Sequence, residues 1–114
     1  MPRFAVLTHD HPRLHWDLLL EDGPACRTWR LGAEPSPAAA TPAEQIADHR
    51  LVYLAYEGPV SGNRGNVTRW DVGEFEWIAD SADRIELNLA GTKLRGRYLL
   101  RQSGDGWEFS RSGA

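Results

Sequence analysis

Apolar and polar residues alternate along most of the chain, with the period of two that is typical of β-strands. The clearest example is THDHPRLHWDLLLED at residues 8–22. In an extended chain, one face of its second half would carry Leu14, Trp16, Leu18 and Leu20. The opposite face would carry His15, Asp17, Leu19 and Glu21. The pattern therefore predicts a strand over 14–21 in which a histidine and an aspartate share one side.

The same alternation, interrupted by glycine-containing turns, predicts about eight strands. Nine segments show the pattern, at residues 3–9, 14–21, 26–31, 50–56, 67–71, 74–78, 84–89, 93–101 and 107–111, and we expect about eight of them to be separate strands. One short helix is expected at 41–48, because Thr41-Pro42-Ala43-Glu44 combines a capping threonine, a proline at the first helical position and a glutamate three residues after the cap. Residues 32–43 before and into this helix form a loop rich in proline and alanine.

Short strands, frequent glycine turns and scattered tryptophans favour a mainly β fold, either a barrel or a sandwich. At 114 residues the chain is expected to form a single domain, spanning 1–114, with a core that needs no disulfide. No apolar run approaches the roughly 20 residues of a membrane span, and the N-terminus lacks a signal-peptide pattern. With a single cysteine as well, we expect a cytoplasmic protein with no membrane partner.

Three side chains near the N-terminus form a candidate metal site. His15 and Asp17 project to the same side of one strand, and His9 ends the preceding strand, where a hairpin return would bring it alongside. Two imidazoles and one carboxylate match the arrangement that binds divalent transition metals, and manganese, iron(II) and zinc all suit it. An exposed or hydrogen-bonded polar strand face is the alternative from the residues alone.

A second pair of functional side chains occurs in the middle of the chain. If the segment from His49 is extended, His49 and Tyr53 point the same way, and together they can bind an anion or transfer protons. A partly buried, hydrogen-bonded pair is the alternative. Cys26 lies on a predicted strand, where a small buried hydrophobic residue is a better interpretation than a nucleophile.

Five blocks of the sequence, in order, resemble the 3′-phosphoesterase module of bacterial DNA ligase D. HDHPRLHWDLLLE is similar to its opening motif HDARRLHYDFRLE, and ADHRLVYLAYEG to its EDHPLDYADFEG. RWDVGEFEW resembles VWDRGTWE, while TWRL and TKLRGRYLLRQ correspond to its tryptophan segment and its closing basic segment. Nearly the whole chain is covered, as in a small stand-alone member.

The resemblance implies a compact antiparallel β-barrel of about eight strands with manganese-dependent end-healing activity. Such a module removes a 3′-ribonucleoside and a 3′-phosphate from DNA or RNA ends, in repair by non-homologous end joining beside a ligase or polymerase. Transferred by matching position, the metal ligands are His9, His15 and Asp17. The expected ion is Mn²⁺, with Zn²⁺ or Fe²⁺ as alternatives.

Further roles transfer in the same way. The catalytic residues implied by the resemblance are His15, His49 and Tyr53, and the phosphate-binding residues are Arg13, His49 and Tyr53. One departure stands out, because Leu19 occupies a position where the module has an arginine, and leucine offers a phosphate neither charge nor donor. Arg30 or Arg64 are candidates to substitute for it.

Two functions follow from this combination. The first is a metal-dependent 3′-phosphoesterase. The second is a catalytically weak or inactive metal-binding module that binds nucleic-acid ends, nucleotides or a repair partner. The net charge of −3 suits contact with a terminus better than contact along a duplex.

Overall fold

A computed structural model describes residues 1–112, which are dominated by antiparallel β-structure. Within this stretch lie nine strands and one four-residue 3₁₀ turn at Leu51–Leu54. The strands are β1 Arg3–His9, β2 His15–Asp22, β3 Ala25–Leu31, β4 Thr41–Arg50, β5 Gly58–Pro59, β6 Asn66–Asp80, β7 Arg84–Ala90, β8 Arg95–Ser103 and β9 Gly106–Arg111. The expected mainly β fold is confirmed.

Eight of these strands close into a barrel. They pair in the order β1-β2-β3-β4-β9-β8-β7-β6, and β6 pairs with β1 to complete the ring. Strand β5 stands outside the ring and pairs with the start of β6. Strand β1 is therefore hydrogen-bonded on both sides, with His9 opposite His15 on β2 and opposite Val67 on β6.

Alternation along the strands produces two apolar cores. The larger core fills the barrel with side chains from all eight strands of the ring, including Phe4, Trp29, Phe75, Tyr98 and Phe109. The smaller one lies on the outer face of β1, β2 and β3, beneath the 3₁₀ turn. We call it the second core, and its buried members are Ala5, Leu7, Leu19, Cys26, Leu54 and Val67.

The helix expected at 41–48 is wrong, since this segment is strand β4. Thr41 and Ala43 turn inward and are buried, while Pro42 and Glu44 are exposed, so the segment follows the period of a strand. Pairing with β3 and, over Thr41–Ala43, with β9 closes the barrel and outweighs the local capping signal. The short helical turn instead follows directly, at Leu51–Leu54, so the strand expected at 50–56 is wrong as well.

Two smaller expectations also change. Residues 67–71 and 74–78 belong to one long strand, because β6 pairs with β1 up to Glu74 and with β7 from there on. Gly73 lies at this change of partner, where an added Cβ would meet the Ala90 backbone. Leu14 precedes β2 and is 59% exposed, so it does not join the core face.

Asp71 links β6 by hydrogen bonds to the turn between β7 and β8. Its buried carboxylate accepts hydrogen bonds from the backbone N–H groups of Val72, Thr92, Lys93 and Leu94, at 2.8 to 3.0 Å. Gly91 leaves the space for this contact, because a Cβ there would collide with the Asp71 carboxylate. The aspartate of the RWD motif thus has a structural role in this chain.

We expect Asp71→Asn to lower the free energy of unfolding by about 3 kcal/mol, since the amide nitrogen would face N–H donors that now lack an acceptor. Urea unfolding followed by tryptophan fluorescence measures this change. Asp105→Asn, in the exposed turn before β9, is the matched control. Equal stability of the two variants would contradict the role assigned to Asp71.

Within the described residues, the structure contains no helix of the length and hydropathy required to cross a membrane.

Candidate metal centre and adjoining cleft

His9, His15 and Asp17 come together on the outer face of the barrel. The β1–β2 register places His9 directly opposite His15 and Leu7 opposite Asp17, so the three side chains occupy adjacent positions. The two imidazole rings lie 4.8 Å apart between centroids. One candidate ligand atom from each of the three residues lies within 4.8 Å of the others. We call these three residues the triad.

Backbone carbonyls fix the orientation of both histidines. Nε2 of His9 donates to the carbonyl of Arg64 at 2.8 Å, and Nδ1 of His15 donates to the carbonyl of Arg13 at 2.9 Å. A nitrogen that faces a carbonyl must carry the proton, so each neutral ring keeps a lone pair on its other nitrogen. Metal-binding histidines are commonly held in this way.

Two polar atoms of the triad are buried without a hydrogen-bond partner in residues 1–112: Nε2 of His15 and Oδ1 of Asp17. Nε2 of His15 is 3.3 Å from Oδ2 of Asp17, a contact that lacks hydrogen-bond alignment. The Asp17 side chain is 4% exposed, and Nε of Arg30 lies 3.5 Å from its Oδ1 without forming a hydrogen bond, so part of the cost of burying this carboxylate is left for a metal ion to offset. The residues present therefore fit a divalent cation.

A loop from a distant part of the chain supports the triad. The segment between β5 and β6 contributes the Arg64 carbonyl, and Oδ1 of Asp10 accepts from the backbone N–H of Asn66 at 2.7 Å. Gly65, with φ of +76°, packs so closely that an added Cβ would lie 2.6 Å from Cβ of His11. This support cannot be predicted from the pattern of side chains, because every residue type carries a backbone carbonyl.

The triad opens into a cleft of about 360 Å³. Its lining includes His9 and Asp17 from the triad, His49 and Tyr53, and the arginines Arg30, Arg50 and Arg64. The structure therefore brings two separate groups of sequence-predicted residues to one cavity. Arg13 is exposed and is not among the lining residues of the cleft; its backbone orients His15.

His49 and Tyr53 meet in a different way from that expected. His49 is near the end of β4 and Tyr53 lies in the 3₁₀ turn, so a change of direction, rather than a continuous strand, brings the rings to 6.0 Å between centroids. Nδ1 of His49 donates to the Ala47 carbonyl at 3.1 Å, which leaves a lone pair on Nε2 of the neutral ring. Tyr53 also packs edge-on against Tyr56, at 5.7 Å between ring centroids.

Leu19 is completely buried in the second core, two residues beyond Asp17 on the same face of β2. It forms part of the apolar support beneath the cleft. The cation beside the triad comes from the next strand, since Arg30 of β3 lies opposite Asp17, with its Nε 3.5 Å from Oδ1. The sequence contains a signal for this pairing, because a two-residue turn at Gly23-Pro24 sets the register of the whole hairpin.

Fold and site together define a class: a small antiparallel barrel with a candidate metal-ligating triad on its wall, beside a cleft lined by histidine, tyrosine and arginine. Comparison of the sequence gives the family. Residues 7–102 match the DNA ligase D 3′-phosphoesterase domain, and the chain belongs to that family.

Two curated relatives are both described as the multifunctional non-homologous end joining protein LigD. The Pseudomonas aeruginosa protein is 33% identical over 108 residues, covering 86% of this chain and 13% of the relative. The Mycolicibacterium smegmatis protein is 30% identical over 125 residues, covering 92% of this chain and 16% of the relative. The chain thus spans less than a fifth of the length of these relatives.

Cys26 is not equipped for nucleophilic chemistry. It is fully buried in the second core, and burial raises the pKa of its thiol to about 11. We expect the folded protein to react with a thiol reagent at about pH 8 far more slowly than the urea-unfolded chain does, because the thiolate is both scarce and inaccessible. A thiol reagent that releases a chromophore on reaction is used, and the absorbance of that chromophore measures the rates for the folded and the unfolded chain. Comparable rates would contradict this assignment.

Proposed function

We propose that this chain is a metal-dependent 3′-phosphoesterase that acts on DNA or RNA ends. The observation that carries the proposal is that His9 and Asp17 of the triad line the same cleft as His49 and Tyr53. Membership in the DNA ligase D 3′-phosphoesterase domain family supports the same reaction class. The substrate would be a 3′-phosphate or a 3′-ribonucleoside, removed to leave a 3′-hydroxyl.

His9, His15 and Asp17 are the residues that would hold the metal, for which we propose Mn²⁺, with Zn²⁺ or Fe²⁺ as alternatives. When bound, a divalent cation polarises phosphoryl oxygens and orients water. The protein's own contribution is the rigid presentation of this set. Both imidazoles are held by backbone carbonyls, and Asp17 is fixed within a strand paired on both sides.

His49 and Tyr53 would act on the substrate itself. Because Nδ1 of His49 is occupied by the Ala47 carbonyl, Nε2 is the atom available to exchange a proton with a phosphoryl or leaving-group oxygen. The Tyr53 hydroxyl would donate a hydrogen bond to the phosphate. Arg13, exposed on the loop between His9 and His15, would contact the phosphate from the rim.

A binding module is the second candidate, and Leu19 favours it. The buried leucine supplies no donor at a position close to Asp17, so phosphate contacts are fewer than a row of polar residues would provide. Such a module would bind a metal and a nucleic-acid end, a nucleotide or a partner in repair without turnover. Under either proposal, a ligase or polymerase of end joining is the expected neighbour.

Metal binding has a direct thermal signature. At a Mn²⁺ concentration 100 times the Kd, we expect stabilisation by about 2.7 kcal/mol, visible as an increase in Tm of several degrees. His15→Ala and Asp17→Asn should abolish the increase, since each removes one ligand of the triad. His11→Ala is the matched control, a nearby histidine outside the triad. An equal increase in all variants would show that Mn²⁺ binds elsewhere.

Turnover distinguishes the enzyme from the binding module. With Mn²⁺, we expect the wild type to release phosphate from a 3′-phosphorylated oligonucleotide, and His49→Ala to lower kcat by about 10²- to 10⁴-fold through loss of proton transfer. His15→Ala should be inactive, and His11→Ala should retain activity within about twofold. Colorimetric phosphate release measures all four proteins. A wild type that binds Mn²⁺ without releasing phosphate would support the binding module instead.

A further inference from the structure

One cation of the cleft is placed to act directly beside the triad. Arg30 lies opposite Asp17 across the β2–β3 pairing, and its Nε is 3.5 Å from Oδ1 of Asp17. The Arg30 side chain is 43% exposed, whereas that of Asp17 is 4% exposed. The guanidinium therefore lies within ion-pair distance of the buried carboxylate, and the Arg30 side chain remains accessible to a ligand in solution.

The two other arginines of the cleft are placed differently. The Arg64 guanidinium is bound within its own loop, where Nε donates to the Ser61 carbonyl at 2.7 Å and an Nη group to the Ser61 hydroxyl at 3.2 Å. Arg50 is paired with Ala25, which lies opposite Asp22. Along β2 this position is five residues from Asp17, about 16 Å of extended chain. Arg30 is thus the cleft arginine aligned with the triad.

The chemistry of the guanidinium suits a phosphoryl group. With Nε the guanidinium atom nearest Asp17, the two Nη groups keep up to four N–H donors, in the planar geometry that matches two oxygens of a phosphate. Leu19, the next residue on the Asp17 face of β2, is apolar and buried. A phosphate beside the triad would therefore draw its nearest positive charge from β3.

We propose that Arg30 is a phosphate-binding residue of this cleft, and that it favours ends that carry a terminal phosphate over ends that carry a hydroxyl. The inference rests on the proposed function for its ligand class. It goes beyond the proposed function by assigning a contact with the phosphate to Arg30, a residue on β3. An arginine that only neutralised Asp17 would affect stability or metal affinity, but not the preference for a phosphate end.

The test uses two fluorescent oligonucleotides of one sequence, ending in a 3′-hydroxyl or in a 3′-methylenephosphonate, whose carbon bridge prevents hydrolysis. Anisotropy at saturating Mn²⁺ and fixed salt gives the ratio of their affinities. We expect the wild type to prefer the phosphonate, and Arg30→Gln to reduce the ratio by about ten- to a hundredfold through loss of charge-assisted hydrogen bonds. Arg30→Lys should recover part of it, because the charge remains but the planar donor pair is lost.

Three controls make the result specific. Arg64→Gln removes the rival cation of the cleft, and Arg101→Gln removes an equal charge from an exposed site where it faces Glu108. Both should keep the ratio within about twofold. The Mn²⁺ affinity of Arg30→Gln, measured by electron paramagnetic resonance, should be unchanged or higher, since a positive charge beside Asp17 is lost. This measurement also establishes that the variant is folded.

Several outcomes would overturn the role of Arg30: no preference in the wild type, an unchanged ratio in Arg30→Gln, or an equal loss in Arg64→Gln. Equal weakening of both oligonucleotides would do the same. The proposed function fails separately. If the preference for the phosphonate depends on Arg30 but no phosphate is released, Arg30 is a phosphate-binding residue and the protein is not an esterase. If phosphate is released but Arg30→Gln leaves the ratio of affinities unchanged, the protein is an esterase and Arg30 does not bind the phosphate.

Discussion

Closure of the barrel through β1 is the constraint on which the candidate site depends. This strand is the only element of the described chain that pairs with both β2 and β6, and His9 is its last residue. Pairing with β2 brings His9 against His15. Pairing with β6 brings the loop between β5 and β6 close to β1, so that the Arg64 carbonyl accepts a hydrogen bond from the His9 ring. The β1–β2 ladder therefore assembles the triad, and ring closure through β6 adds the backbone carbonyl that orients His9.

The location of the site on the outer wall explains why the fold needs two cores. The barrel interior is filled by large apolar side chains, which leaves no room there for a polar cavity. On the outer face, polar and apolar positions share the same alternating row, so His9 continues the row of Ala5 and Leu7, and Asp17 the row of Leu19. The second core and the 3₁₀ turn cover the apolar part of that surface and leave the triad at its edge. Leu19 belongs to this support, and its burial gives a physical reason for a leucine among polar neighbours.

The strands and the triad could be predicted because both rest on local rules. A period of two places His15 and Asp17 together, and a short return loop brings His9 beside them. The segment 41–48 could not be assigned locally, since a threonine followed by proline and glutamate suits a helix start, and only pairing with β3 and β9 makes it a strand. The supporting contacts are non-local as well. Arg64 is 55 residues from His9, and its contribution is a carbonyl group that every residue type carries. The position of Arg30 opposite Asp17 could in principle be predicted, because the register of a hairpin with a two-residue turn follows from that turn.

Charge in this protein is arranged locally. The net charge of −3 opposes non-specific attraction to a duplex, while three arginines line one small cleft. A volume of about 360 Å³ is near the lower end of the range for small-molecule pockets, which suits a terminal group and its nearest neighbour better than a length of double helix. Recognition of an end would then depend on the phosphate itself, through short-range contacts in a partly desolvated cleft. Three arginines outnumber Asp17 and Asp48 in the lining of the cleft, so a protein of net negative charge carries a local positive excess there, which suits contact with a single terminal phosphate.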